Sequence, residues 1–401
     1  MITTRDLLIT LGAAFELPRS AVCRLGLQPE RLRELPAGAR ARAALAADLG
    51  VPARVLETFR RLLGRAPAVV RREERSARRH GARIVTAADP EYPRSLMDLD
   101  LPPPSLYVRG SVHDEPAPLG LDAAAAVAIV GSRRADAYGR ESAELFGREL
   151  AAAGLTVVSG FARGVDAAAH RGALAAPVDH PGRAATVAVL GSGLGVDYPR
   201  GHRRLGDRIA ERGALVTEFP CGVEPRAWHF PVRNRLIAAL SAATLVVRAA
   251  PRSGSLVTAR FALDLGRDVC AVPGRIFEER SMGTNALLAD GAYPALHPRD
   301  VLDLLGVPTA PPPARARSAG SPGPGSTDGS AAGPVDAPKK GSVRGLPGRL
   351  LASMTPAEPE SPEALAERVG APVDRVLGAL LELELAGRVR REPGPAYVRR
   401  P

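Results

Sequence analysis

The sequence predicts an α/β fold: an extended Rossmann-like, doubly wound, mostly parallel sheet, with a small N-terminal helical domain and a C-terminal winged-helix domain. Three observations predict it. Between Val127 and Gly195, three runs of β-formers end in glycine-serine turns: Val127-Ala128-Ile129-Val130-Gly131-Ser132-Arg133, Thr156-Val157-Val158-Ser159-Gly160 and Val187-Ala188-Val189-Leu190-Gly191-Ser192-Gly193. Strand-like runs at Ala214 to Glu218, Thr244 to Val247 and Asp268 to Val272 then alternate with helical ones such as Gly139 to Ala153 and Ser255 to Leu265. The strands are apolar nearly throughout, as in a parallel sheet covered on both faces. Ends of such strands line up along one edge, where glycines let the backbone approach a ligand and helix N-termini aim their free N–H groups at an anion.

Four segments follow from the patterning. In residues 1–80, Leu7, Leu8 and Leu11 recur on one helical face, as do Leu45, Leu49, Val55, Leu56, Phe59, Leu62 and Leu63, with breaks at Pro18, Pro36, Gly50-Val51-Pro52 and Pro67. Arg71, Arg72, Arg75, Arg78 and Arg79 crowd the end of this segment, either as a nucleic-acid contact or as a solvated helix face. Residues 81–308 hold the α/β pattern, and 309–344, dominated by Pro, Gly, Ala and Ser, read as a flexible linker. Residues 345–401 give helices at Leu346 to Met354, Pro362 to Val369 with Ser361 as N-cap, and Val373 to Ala386 stopped by Gly387. Strands at Arg388 to Arg391 and Ala396 to Arg400 then flank a Glu392-Pro393-Gly394-Pro395 turn, which is the winged-helix order.

With 401 residues, 45% of them hydrophobic, the chain has enough material for more than one core. The net charge of +11 favours a polyanionic partner, although the positive charge is almost all arginine, Lys339 and Lys340 being the only lysines. Cys23, Cys221 and Cys270 are odd in number and far apart, which rules out a disulfide framework and argues against a zinc site, so no metal is expected. Met1 to Thr10 carries Arg5 and Asp6 and no signal-peptide core, and no stretch approaches a membrane span; the expected compartment is the cytoplasm, with no membrane partner.

The residues at the sheet edge decide which anion is meant. Gly131-Ser132-Arg133-Arg134-Ala135-Asp136 is not the dinucleotide G-x-G-x-x-G, the second strand ends in Ser159-Gly160 rather than in a ribose-binding acid, and no Walker motif occurs, so no cofactor is expected. Arg133 follows the tight turn, where a guanidinium makes bidentate contacts with phosphate oxygens beside backbone N–H donors. His229-Phe230-Pro231-Val232-Arg233-Asn234-Arg235 places two arginines, an amide and a ring just before an apolar helix from Leu236 to Leu240. Phosphate contacts plus a stacking ring are what a single strand requires; a core role for Phe230 and loop-bracing roles for Arg233 and Arg235 stand as alternatives. Arg252-Ser253-Gly254-Ser255-Leu256-Val257-Thr258 opens a further helix, with hydroxyls and N–H groups at the same edge, one serine doubling as N-cap. Asp166 and His170, four apart, suit an acid-base pair or a helix-stabilising one. Neither a serine elbow nor a carboxylate cluster for nuclease chemistry occurs, so no enzyme activity is expected.

These motifs, together with Gly160-Phe161-Ala162-Arg163-Gly164-Val165-Asp166, Tyr198-Pro199, Val272-Pro273-Gly274 and Gly283-Thr284-Asn285, resemble the bacterial DNA-processing protein A (DprA/Smf) family. The likeness runs from about Gly81 to Ala292 and extends to the domain order, with an N-terminal helical domain of SAM or helix-hairpin-helix-like type. It implies a protein that binds single-stranded DNA, protects incoming DNA in natural transformation, helps to load the RecA recombinase, works as a homodimer and lacks enzymatic turnover. Residue by residue, it implies DNA contacts at Gly131, Ser132 and Arg133; at Ser159, Gly160, Arg163 and Gly191; at Arg226, Phe230, Arg233, Asn234 and Arg235; and at Ser253, Gly254, Ser255 and Thr258.

The chain departs from the family pattern in three places. Val246-Val247-Arg248-Ala249 carries an arginine where the family has an acid, and Ala227-Trp228 stands where some relatives place a lysine, leaving Arg226 as its substitute. The third helix of the winged domain presents Asp374, Arg375, Glu382 and Glu384, nearly neutral, which points to a protein partner rather than to duplex DNA. Enzymes of the same superfamily, nucleotide phosphoribohydrolases related to the LOG proteins, have a P-G-G-x-G-T-x-x-E motif; Ser253 to Ala259 lacks its glutamate. A duplex-binding regulator working through the winged helix is the other alternative, and the acidity of that third helix weakens it.

Overall fold

The computed structural model describes residues 2–14, 17–33, 35–110, 123–177, 183–308, 346–355, 360–385, 388–392 and 396–399. The expected linker, the 393–395 turn, Gly387 and Arg400 lie outside them, as do the side chains of Asp374 and Glu382. The chain forms two compact units, Met1–Ala314 and Arg315–Pro401.

The first unit begins with helices α1 (Thr4–Gly12), α2 (Arg19–Gly26), α3 (Glu30–Arg33), α4 (Ala39–Asp48), α5 (Ala53–Leu63) and α6 (Ala66–Arg79). Leu7, Leu8, Leu11, Val22, Leu25, Leu56 and Phe59 are buried together in their core. A capping box starts α1: Asp6 donates its N–H to the Thr3 hydroxyl, and its carboxylate accepts from the Thr3 N–H. Pro18 and Pro52 stand immediately before α2 and α5, whereas Pro67 sits inside the first turn of α6, where a missing N–H costs no intrahelical bond.

Nine strands then form one sheet among the described residues: β1 (Arg83–Thr86), β2 (Ser105–Gly110), β3 (Ala126–Val130), β4 (Thr156–Ser159), β5 (Thr186–Val189), β6 (Gly213–Thr217), β7 (Ala243–Val246), β8 (Asp268–Ala271) and β9 (Tyr293–Pro294). Their order is β1-β2-β6-β5-β4-β3-β7-β8-β9. Pairing is parallel from β6 through β9 and antiparallel at β1-β2 and β2-β6. The connecting helices are α7 (Ala137–Ala152), α8 (Val165–Ala175), α9 (Arg203–Arg212), α10 (His229–Ala239), α11 (Gly254–Asp264), α12 (Glu279–Ala289) and, after β9, α13 (Pro298–Leu304).

Alternation along β3 divides the core. Ala126, Ala128 and Val130 join Leu236, Ile237, Ala259 and Ala262 of α10 and α11. Val127 and Ile129 join Phe146 and Leu150 of α7 and Ala168 and Ala169 of α8 on the opposite face. Because β4 lies on one side of β3 and β7 on the other, the connections leave β3 and β7 in opposite directions and open a crevice at their C-terminal ends.

The structure moves some boundaries. α7 starts at Ala137, capped by Asp136, whose carboxylate accepts the Gly139 N–H at 2.9 Å. α10 starts at His229 rather than at Leu236, so the stretch expected to be a loop is helical. Strands β1 and β2 escape the sequence pattern because they precede the run of alternating strands and helices, and β9 because it is only two residues long.

The second unit contains α14 (Leu346–Ser353), α15 (Pro362–Val369), α16 (Val373–Leu385) and the antiparallel pair β10 (Val389–Glu392) and β11 (Ala396–Arg399). The Ser361 hydroxyl caps α15, accepting the Ala364 N–H at 3.3 Å, and Gly370, at φ +61°, ends it. Leu350, Leu365, Val376, Leu380, Val389 and Tyr397 form its core.

Candidate functional site

A cleft of about 1050 Å³ opens at the C-terminal ends of β3 and β7. The turn Gly131 to Arg133 forms one wall, Phe230, Arg233 and Asn234 of α10 another, and Ser253, Gly254, Ser255 and Thr258 of α11 a third, with Arg226 and Arg252 at the mouth. A second cleft of about 610 Å³ shares Arg133 and Phe230 with the first and continues past Arg163, Gly191, Tyr198 and Arg200.

Where the two clefts meet, three side chains form a layered wall. The exposed Arg133 guanidinium lies 4.6 Å from the centre of the Phe230 ring, and Tyr198 lies 5.5 Å from it on a tilted plane. Phe230 is half-buried and seated on Gly191: a Cβ there would come within 2.8 Å of its Cδ1. Gly191 is thus the bed of the ring, its backbone lining the second cleft. The same holds for Gly160, which is buried and where any side chain would collide with the Arg233 guanidinium. Ser159 is buried as well, its hydroxyl donating to the Ile129 carbonyl at 2.6 Å, and it does not reach either cleft.

The turn after β3 is braced from within. Ser132 donates its N–H to the Arg248 carbonyl at 2.7 Å, and its hydroxyl accepts the Arg134 N–H at 3.1 Å. These bonds hold Arg133 in place and use the Ser132 N–H, while the Ser132 hydroxyl, an acceptor here, keeps its own proton to donate into the cleft. Across the cleft, Ser253 caps α11, its hydroxyl 2.8 Å from that of Ser255, and Asn234 donates to the Gly254 carbonyl at 3.1 Å, tying α10 to the start of α11. Arg163 is exposed and donates to the Arg200 carbonyl at 3.4 Å.

Helical geometry splits the two arginines of α10. Arg233 follows Phe230 by three residues and shares its face, whereas Arg235 points inward. Arg235 donates to both oxygens of Glu218 at 2.9 and 2.8 Å and to the Leu101 carbonyl at 2.8 Å, and Glu218 also accepts from Arg19 of α2 at 3.2 Å. Glu218 is fully buried and Arg235 only 8% exposed, so Arg235 braces the fold and is removed from the expected DNA contacts. Arg233 is also buried, its guanidinium donating to the Val189 carbonyl, but it lies on the cleft floor with Asp166. Burial pushes the Arg233 guanidinium down to about 10 against the opposing pull of Asp166, and burial pushes the Asp166 carboxyl up.

Asp166 and His170 serve different partners. Asp166 accepts the Ala162 N–H at 3.2 Å, while His170 Nδ1 lies 2.7 Å from the Thr186 hydroxyl. Burial holds the His170 imidazole down to about 3, hence neutral, with His202, Arg233 and Arg171 adding to the effect. The pair is structural. Among the described residues, no group of three or more His, Cys, Asp or Glu side chains is placed to hold a metal ion, and no helix is long and apolar enough to cross a membrane.

Arg248, the departure just after β7, is absorbed by two carboxylates. It donates to Asp136, from Nε at 3.3 Å and from Nη2, to Glu278 at 2.6 Å and to the Ser281 hydroxyl, and it lies 5.1 Å from the centre of the Tyr138 ring. The Arg248 hydrogen bond keeps the Asp136 carboxyl below the usual range. Arg226 does line the cleft at the position proposed to replace the missing lysine. Tyr198, Arg200 and Arg252 were not among the contacts expected from the sequence; the signals were Tyr198-Pro199 among the family-like motifs and Arg252 at the head of the anion-cradle motif, and Arg200 had none.

Comparison with known proteins identifies the family. The model of the family described as DNA recombination-mediator protein A matches residues 83–306, and that of the DprA winged helix domain matches residues 335–395. Protein Smf of Escherichia coli (strain K12) is 39% identical over 322 residues, covering 79% of this chain and 77% of that protein. The putative DNA processing protein DprA of Mycobacterium tuberculosis (strain H37Rv) is 37% identical over 327 residues, 77% of this chain and 75% of that protein. The X-ray structure of DNA processing protein A from Streptococcus pneumoniae superposes with a TM-score of 0.62 at 30% identity, over 76% of this chain and 98% of that one. The chain belongs to the DprA/Smf family of DNA recombination-mediator proteins.

Proposed function

We propose that the protein binds single-stranded DNA along the two joined clefts, without turnover, protecting incoming DNA in transformation and helping to load the RecA recombinase. The Arg133–Phe230–Tyr198 wall is the observation that carries this reading. Ring faces recessed in a cleft are reached by unpaired bases and not by the edges of a duplex, and guanidiniums beside them pair with the phosphates. The direct contacts in this reading are Arg133, Arg163, Arg226, Phe230, Ser253, Gly254, Ser255 and Thr258, with Arg233 and Asn234 on the floor.

Several finer assignments belong to the same reading. The sheet is taken as a Rossmann-like doubly wound arrangement, and the chain as divided at 1–80, 81–308, 309–344 and 345–401. The cytoplasm is taken as its compartment. A homodimer is supported by β9, the last strand of the sheet, whose Tyr293 is 51% exposed and is followed by Leu296 at 74%.

Fluorescence anisotropy tests the central claim. Oligothymidylate is expected to bind more tightly than duplex of the same length, with log affinity falling by about 0.7 per log unit of salt for each phosphate contacted. Arg133→Ala lowers that slope by about 0.7. A preference for duplex, or binding that ignores salt, contradicts it.

A further inference from the structure

Resting on that reading, we propose that the single strand runs beyond Tyr198 into a third cleft, where Arg79, Arg109 and Arg203 hold its phosphates. The end of α6, in the N-terminal helical region, then becomes part of the nucleic-acid path. This cleft, of about 530 Å³, backs onto the second across a common wall that includes Phe161, Leu190 and Tyr198. A strand stacked near Phe230 reaches it by crossing the Tyr198 ring, which is 37% exposed on that wall.

The three arginines come from separate elements: Arg79 ends α6, Arg109 lies in β2 and Arg203 begins α9. On α6, Arg72 pairs with Glu73 at 3.0 Å and Arg78 with Glu74 at 3.6 Å, but Arg79 is exposed and forms no ion pair with a described residue. Arg203 is exposed and likewise unmatched, whereas Arg109 pairs with Asp207 at 2.7 Å. Asp197 is the one other carboxylate on this wall among the described residues, so two guanidiniums face one acid.

Two further features favour an anion here. α9 opens with Arg203 and Arg204, has no acid in its first turn and receives no side-chain cap from His202, so positive charge meets the positive end of the helix dipole, with Asp197 as the acid near that end. Phe161, between the second and third clefts, holds a left-handed backbone at φ +61°, wedged between the rings of His170 and His202 at 6.2 and 5.4 Å. A non-glycine residue keeps that conformation only where its surroundings impose it, and such positions concentrate at ligand sites.

A length ladder of oligothymidylates, from about 4 to about 16 nucleotides, tests the path on the full chain. Wild-type affinity is expected to rise with length until the third cleft is filled. The double variant Arg79→Ala, Arg203→Ala keeps wild-type affinity for the shortest oligomers. It loses about 25-fold for the longest at about 0.1 M salt, about 5-fold for each phosphate contact, and the pair Arg79→Lys, Arg203→Lys restores most of the loss. If the alanine variant follows wild type at every length while Arg133→Ala weakens all of them, the third cleft carries no DNA and the proposal falls. The same superposition accompanied by loss of binding to polyglutamate assigns the surface to an acidic polypeptide instead. Arg133→Ala leaving the shortest oligomers bound as in wild type defeats the central reading, and this one with it. Circular dichroism of both variants confirms the fold.

Discussion

Two arginines stand behind the central cleft, each 3% exposed, and they illustrate opposite uses of a buried charge. Arg248 sits among Asp136, Glu278, Ser281 and the Tyr138 ring, with a carboxylate on either side. Arg233 has one carbonyl as its hydrogen-bond acceptor, a carboxylate whose own charge is opposed by burial, and Arg133 as a like-charged neighbour. The first is a strut joining the starts of α7 and α12 to β7. The second keeps a positive field directed into the cleft. Burial alone does not distinguish them; the partners do.

Removing the strut produces the largest effect. Arg248→Ala leaves two partly exposed carboxylates without their shared cation and lowers the free energy of unfolding by about 3 kcal/mol, read from denaturant titrations, while single-strand affinity per folded molecule stays the same. Unchanged stability with lost affinity breaks the comparison.

Next in size, Phe230→Ala costs about 1 to 3 kcal/mol of single-strand affinity if the ring stacks on a base. A protein that melts earlier but binds as before assigns the ring to the core instead.

The smallest effect is also the most diagnostic. A guanidinium that titrates at about 10 is charged below that pH and neutral above it. Affinity for oligodeoxycytidylate is expected to fall as pH rises through about 10, by about 5-fold for the loss of one phosphate contact, with the step absent in Arg233→Met. The stability term runs the other way: because the folded-state value lies below the ordinary guanidinium value, unfolding takes up protons between the two and folding is favoured as pH rises across that interval. A single titration thus separates binding from stability, and a pH-independent affinity removes Arg233 from the site.

Much of this was legible in the sequence. Strand ends at Val130, Ser159 and Val189 announce the sheet edge because apolar runs closing in glycine turns have few other readings, and Arg133 and Phe230 follow from their place beside it. The fate of Arg235 was not legible, because its direction depends on where α10 begins. Read as a loop, residues 230–235 all face the ligand; with the helix starting at His229, period 3.6 sends Arg233 to the cleft and Arg235 to Glu218. The third cleft was hidden for another reason: Arg79, Arg109 and Arg203 are brought together by topology and share no spacing that a motif could display.

Glu218 has a consequence for modularity. Its carboxylate is held by Arg235 from the helix that carries the cleft residues and by Arg19 from the amino-terminal helices, all three side chains inside the fold. The seam between the helical and sheet segments therefore runs through a shared charge cluster rather than along a surface of separable parts. An amino-terminal truncation at Gly81 does not release a self-sufficient cassette: it strips one cation from the cluster and opens Glu218 to solvent. Shuffling of these segments between relatives succeeds only when the arginine and its acid travel together.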